Sequence, residues 1–196
     1  MNAKIADLIK EQIQDLNFID KLAGIVKPVT YTDKAGNSKT FPVALNDASA
    51  CDPGHYTDLV PDSSKISIIY FEDLGTDVVN AGCRYVDVEA KIRLVCWVNL
   101  AKVNTDYSDA NLLKIKLLQT IPKRLTNTDW VTKIFVKFAG EEPKDNLFSA
   151  YTYDEKQTQY LMYPFDYFGL NYNVKYSIPM NSECLDNIVL NPKICT

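Results

Sequence analysis

The sequence predicts an α+β fold: a mainly antiparallel sheet, two amphipathic helices packed on one face of it, and a long projecting hairpin. Three observations predict it. Residues 84–100 alternate with period two, and about seventeen residues at roughly 3.3 Å each would reach about 55 Å. Two stretches, 3–16 and 106–121, carry apolar residues at helical spacing instead. Between and after them lie shorter strand-like runs, and this order of helix, strands, helix and strands is that of an α+β domain.

The long strand is the clearest element. Val86, Val88, Ala90, Ile92, Leu94, Cys96, Val98 and Leu100 form a dry row, while Tyr85, Asp87, Glu89, Lys91 and Arg93 form a charged one. Strands usually run about 5–6 residues. A compact chain of 196 residues has a radius of gyration of roughly 16 Å, hence a diameter near about 42 Å. The strand is therefore expected to bend, to break at a bulge, or to project as one arm of a hairpin.

The other elements follow in order. In segment 3–16, Ile5, Leu8, Ile9, Ile13 and Leu16 share a face, and Lys4, Lys10, Glu11 and Gln14 lie elsewhere. Gly24 and Pro28 forbid a continuing helix, so 25–31 and 38–44 read as a hairpin turning through Asp33-Lys34-Ala35-Gly36-Asn37. Residues 46–64, with Pro53, Gly54 and Pro61, form a long loop. A strand at 65–71 follows, is expected to pair with the long strand, and ends at Glu72-Asp73-Leu74-Gly75. The second helix, 106–121, is capped by Ser108 or Asp109 and stopped by Pro122. Its wide apolar face (Leu112, Leu113, Ile115, Leu117, Leu118 and Ile121) is expected to pack into the core. Strands at 131–138 and 167–178 are separated by a polar loop at 141–146, and a tail begins at Pro179. Residues 1–139 read as an α+β core domain and 140–196 as a strand-containing extension packed on it.

Composition narrows the function. At 46% hydrophobic and 23% charged, the chain has material for a core and is not of the disordered class. Net charge is −4, with no basic stripe of the kind that phosphate binding requires. The first residues lack a signal-type apolar run, and no stretch approaches the roughly 18 apolar residues of a membrane span. The chain therefore reads as made in the cytoplasm, without a membrane partner. Five cysteines, an odd and widely spaced set, read as reduced structural thiols.

Candidate chemistry is sparse. His55 stands near Cys51 and Asp52 but lacks a second His or Cys at ligand spacing, so neither a zinc site nor a Cys–His nucleophile is expected. The acidic pairs Glu72-Asp73 and Glu141-Glu142 need not converge as glycosidase carboxylates do. No phosphate-cradling glycine loop is present. The Asp33–Asn37 turn lacks EF-hand spacing and reads as a plain turn. The aromatic group Tyr151, Tyr153, Tyr160, Tyr163, Phe165, Tyr167 and Phe168 suits a core, an interface or a stacked ligand. No enzyme activity, catalytic residue, metal or cofactor is expected.

Val95 and Trp97 are apolar on the charged row, so they are expected to go under cover, beneath the second helix or another subunit. The charges there are ordered, Asp87 and Glu89 before Lys91 and Arg93. A second copy displaced by about four residues would set acids against bases in a head-to-tail contact. Asp87, Glu89, Lys91, Arg93, Val95 and Trp97 are the candidate subunit-interface residues.

The element order resembles the tail-terminator and head-to-tail joining proteins of tailed bacteriophages, in the style of neck and tail ring proteins of crAss-like phages. Residues 41–44, 59–65, 69–73 and 94–100 carry the likeness, which spans roughly 3–138. It implies a tail-terminator-like fold and a virion structural protein: a homo-oligomeric ring of about six or twelve copies at the neck or tail. Such a ring would join head to tail around a DNA channel, contact adjacent neck, portal or tail ring proteins, and let DNA pass without specific binding. The alternative is another non-enzymatic phage module, such as a baseplate, capsid-associated or carbohydrate-binding protein.

Overall fold

A computed structural model describes residues 1–44, 56–81, 85–103, 109–126, 133–153 and 158–179. The fold is α+β, with few helices and one seven-stranded, mostly antiparallel sheet. Its elements are α1 (Asn2–Ile13), β1 (Lys21–Thr32), β2 (Ser38–Ala44), β3 (Ser67–Ala81), β4 (Tyr85–Asn99), α2 (Ala110–Thr120), β5 (Arg124–Leu125), β6 (Ile134–Glu142), α3 (Lys144–Leu147) and β7 (Phe165–Pro179). The strand order is β2-β1-β3-β4-β7-β6-β5, and only the β1–β3 pair is parallel.

The alternation in β4 decides both faces of the sheet. Its dry row meets Ile69 and Phe71 of β3 and Phe168, Leu170 and Val174 of β7 in one cluster. Ile5, Ile9 and Ile13 of α1 and Leu113 and Leu117 of α2 cover that cluster, so both helices lie on the same face. The second face is covered over only part of its length. Ile68, Tyr70, Val95 and Trp97 are buried there under Leu147, Phe148, Tyr151, Tyr153, Tyr160 and Leu161. The cover over Val95 and Trp97 thus comes from this chain's own tyrosine-rich segment, not from α2 or another subunit.

Several sequence expectations change in detail. β3 does not stop at Gly75. Extra residues at Leu74 and Val79 break the register, and the ladder with β4 continues to Ala81↔Val86. A bulge absorbs one residue and lets pairing resume; Gly75 supports it at φ +115°. The β4 ladder with β7 runs without a register shift from Tyr85↔Pro179 to Asn99↔Phe165. The hairpin is therefore not a free two-stranded arm, because β7 accompanies β4 along its whole length. β7 lies inside the sheet, between β4 and β6.

Helix α2 buries only a narrow stripe: Ala110, Leu113 and Leu117 are inside, while Leu112 and Ile115 are exposed. Its apolar residues exceed one helical face, and a single sheet surface can take only one. Asp109 caps it, accepting from the Asn111 amide at 2.9 Å; Ser108 lies outside the described residues.

Candidate functional site

Beyond Glu72, β3 has no strand on its outer side among the described residues, because β1 pairs with β3 only as far as Val26↔Glu72. From there β1 turns away with β2. The far half of the sheet consequently consists of β3, β4, β7, β6 and the two-residue β5, with β3 at one edge and β5 beside β6 at the other. The charged row of β4 lies on this half, on the face opposite the helices.

Each charge there is met by a cross-strand neighbour, the arrangement through which sheets are stabilised. Ser177 of β7 donates to Asp87 Oδ1 at 2.5 Å, and Asn80 of β3 donates to Oδ2 at 3.4 Å. Lys175 pairs with Glu89 at 3.4 Å and Lys91 with Asp77 at 3.0 Å. The order of acids then bases along β4 is thus answered inside the chain, by bases on β7 and acids on β3. Val95 and Trp97 are buried in the chain, which leaves Asp87, Glu89 and Lys91 as the members of the predicted interface set that reach the surface.

Arg93 differs from its neighbours because it sits at the border of the aromatic cover. Its side chain is 14% exposed and reaches Glu72 at 3.1 Å and Glu142 at 2.8 Å, while Nε donates to Asn171 Oδ1 at 3.0 Å. Tyr151 donates to the second oxygen of Glu72 at 2.8 Å. Hydrogen bonds from Asn171 and Asn146, with Arg93 beside them, hold the Glu142 carboxyl below its ordinary range. One member of each acidic pair seen in the sequence does converge, therefore, but upon an arginine. A glycosidase acid needs a raised pKa; Glu142 has the opposite. The ion pairs and hydrogen bonds of the cluster lock β3, β4, β6 and β7 together.

The other candidates divide as follows. Asp33 accepts from the amides of Ala35 and Asn37, both at 2.9 Å, so its carboxylate closes the hairpin turn. Trp97 Nε1 donates to the Tyr160 carbonyl at 2.6 Å, and its ring stacks on Phe165. Tyr151, Tyr153, Tyr160 and Tyr167 are likewise spent on the cover; Tyr163, at 90% exposure, is not. Burial pushes the Tyr70, Tyr151 and Tyr153 hydroxyls and the Cys96 thiol up, so all stay protonated and unreactive at neutral pH. Cys51, Asp52 and His55 lie outside the described residues. No described group of three His, Cys, Asp or Glu side chains could hold a metal ion, and no described helix is long and apolar enough to cross a membrane.

Sequence reasoning missed the exposure of Leu74, Val78 and Val79 on β3, of Leu112 and Ile115 on α2, and of Phe135 and Phe138 on β6. Their residue types are those of core positions, so no sequence signal separates them from buried neighbours. Comparison with protein-family models and with curated proteins returns no match.

Proposed function

We propose that the chain is a virion structural protein, forming an oligomeric ring at the neck or tail of a tailed bacteriophage and joining head to tail around the DNA channel. Its fold is read here as tail-terminator-like. The observation that carries the reading is the far half of the sheet. β3, β4 and β7 each run 15 residues, where about 5–6 is usual. The aromatic cover on the second face extends over only part of that length. The excess strand serves as edge and surface, which an assembling subunit needs and a solitary binding domain does not.

The chemistry fits the same role. Among the described residues, the partly buried cluster spends Arg93, Glu72 and Glu142 on holding strands together. A chain of net charge −4 adds no field that would hold passing DNA.

Labelling purified phage particles with an antibody against the chain tests this. Label confined to the head–tail junction or the tail supports a ring at that position. Particles that contain no copy of the chain overturn it.

A further inference from the structure

Exposed large apolar side chains lie on β3 at one side of the sheet and on α2 and β6 toward the other. On β3, Val78 is 65% and Val79 58% exposed, with Leu74 beside them. Leu74 and Val79 are the extra residues of the two bulges, and a bulge re-aims the side chain it carries. Across the sheet, Ile115 of α2 is 50% exposed, with Leu112 next to it and Phe138 on β6. Lys114 ties α2 to β6 through Glu141 at 2.5 Å, so the helix flanks this strand. Monomeric proteins seldom leave such patches uncovered.

Beyond Glu72, which is spent on Arg93, β3 holds Asp73, bonded by Asn2 of α1, and the exposed Asp77, which meets Lys91 of β4, and no base of its own. The facing edge holds Lys123, Arg124, Lys133 and Lys137, all exposed, and its acid Glu141 is paired with Lys114. Two different surfaces that complement each other, on opposite sides of one molecule, make a head-to-tail contact rather than a two-fold one. The bulges on β3 and at Phe138/Gly140 on β6 interrupt the free ladders, so the contact is made by side chains rather than by a shared sheet.

We infer that the β3 edge of one copy docks on the α2–β6 edge of the next, through Leu74, Val78 and Val79 against Leu112, Ile115 and Phe138, with Asp77 facing the lysines. This names the subunit contact of the proposed ring and rests on that reading.

Sedimentation of the full chain and of two variants tests it. Val79→Asp spoils one edge and Ile115→Asp the other; both sites are exposed, and thermal melts verify that the variants fold. Wild type is expected to form assemblies in multiples of 22.2 kDa. Each variant alone is expected to be monomeric, and their equal mixture to double in mass and stop there, because one intact edge remains on each. Asp77→Lys should weaken association several-fold, and adding Lys137→Glu should restore it. A wild-type chain monomeric across the dilution series overturns the proposal and leaves the patches to other proteins. Variants that assemble like wild type, or a mixture that stays monomeric, overturn it as well. Either result with label still present on the particle leaves the ring reading standing; absence from the particle removes that reading whatever the sedimentation.

Discussion

Arg93 is the residue on which the most strands depend. Exposed pairs such as Lys91–Asp77 contribute about 0–1 kcal/mol. Arg93 is different because Glu72 and Glu142 are as withdrawn from solvent as it is, each 15% exposed. Removing it leaves two withdrawn carboxylates facing each other without a counter-ion. Arg93→Ala should cost about 3 kcal/mol, read as a lower urea midpoint with the slope unchanged. Glu142 sets a pH dependence. Its folded pKa lies below its ordinary value of 4.5, so the stabilisation is present above that value and is lost as pH falls through the folded pKa. Asn171 is the first cause of the shift. Asn171→Ala should therefore destabilise at neutral pH, and its gap from wild type should narrow below about pH 4.5 in pH-dependent thermal melts. A gap that stays constant down to acid would contradict this role.

At the scale of elements, α3 docks on β7 at a point where only glycine fits. A Cβ on Gly169 would lie 2.3 Å from Leu147 Cδ2 and 3.1 Å from Glu142 Cβ. Gly169→Ala should push α3 off the sheet and cost about 1–3 kcal/mol by overpacking, measured by denaturant unfolding. The same displacement loosens the cover over Val95 and Trp97, so the variant should also bind more of a hydrophobic dye. Helix α2 shows what an element can and cannot announce. Asp109, Pro122 and the apolar count located it, and Leu113 and Leu117 are core as expected. Leu112 and Ile115 share the composition of those core residues, and only the position of the sheet decides which stripe is buried. β3 ran past Gly75 because a bulge needs no more than one residue outside the ladder, and a glycine in a strand signals both an end and a bulge.

At the scale of the molecule, the far half of the sheet is a charged and apolar surface with two unlike edges. The proposed association through them would combine apolar burial with opposite charges. Raising salt from low to about 0.5 M screens the second contribution and should shift the sedimentation equilibrium toward monomer without dissolving the contact entirely. An assembly indifferent to salt would mean that the Asp77 edge is not facing the lysines. Of the residues singled out on β4, Asp87, Glu89 and Lys91 reach the surface, whereas Val95 and Trp97 are covered from within.

Local patterning alone was enough for the α+β class, for β4 with its dry and charged rows, for α1 and for the Asp33 turn. Those features depend on period, capping and turn chemistry, which are properties of adjacent residues. Tertiary structure alone decided that β7 lies inside the sheet, that Glu72 and Glu142 meet on Arg93, and that the tyrosine-rich segment covers Trp97. It also decided which of many similar leucines, isoleucines and valines stay in water. The physical reason is that strand order and face coverage depend on contacts between residues far apart in the chain, and alternation along one strand is equally satisfied by a helix, a loop or a second subunit on its apolar side.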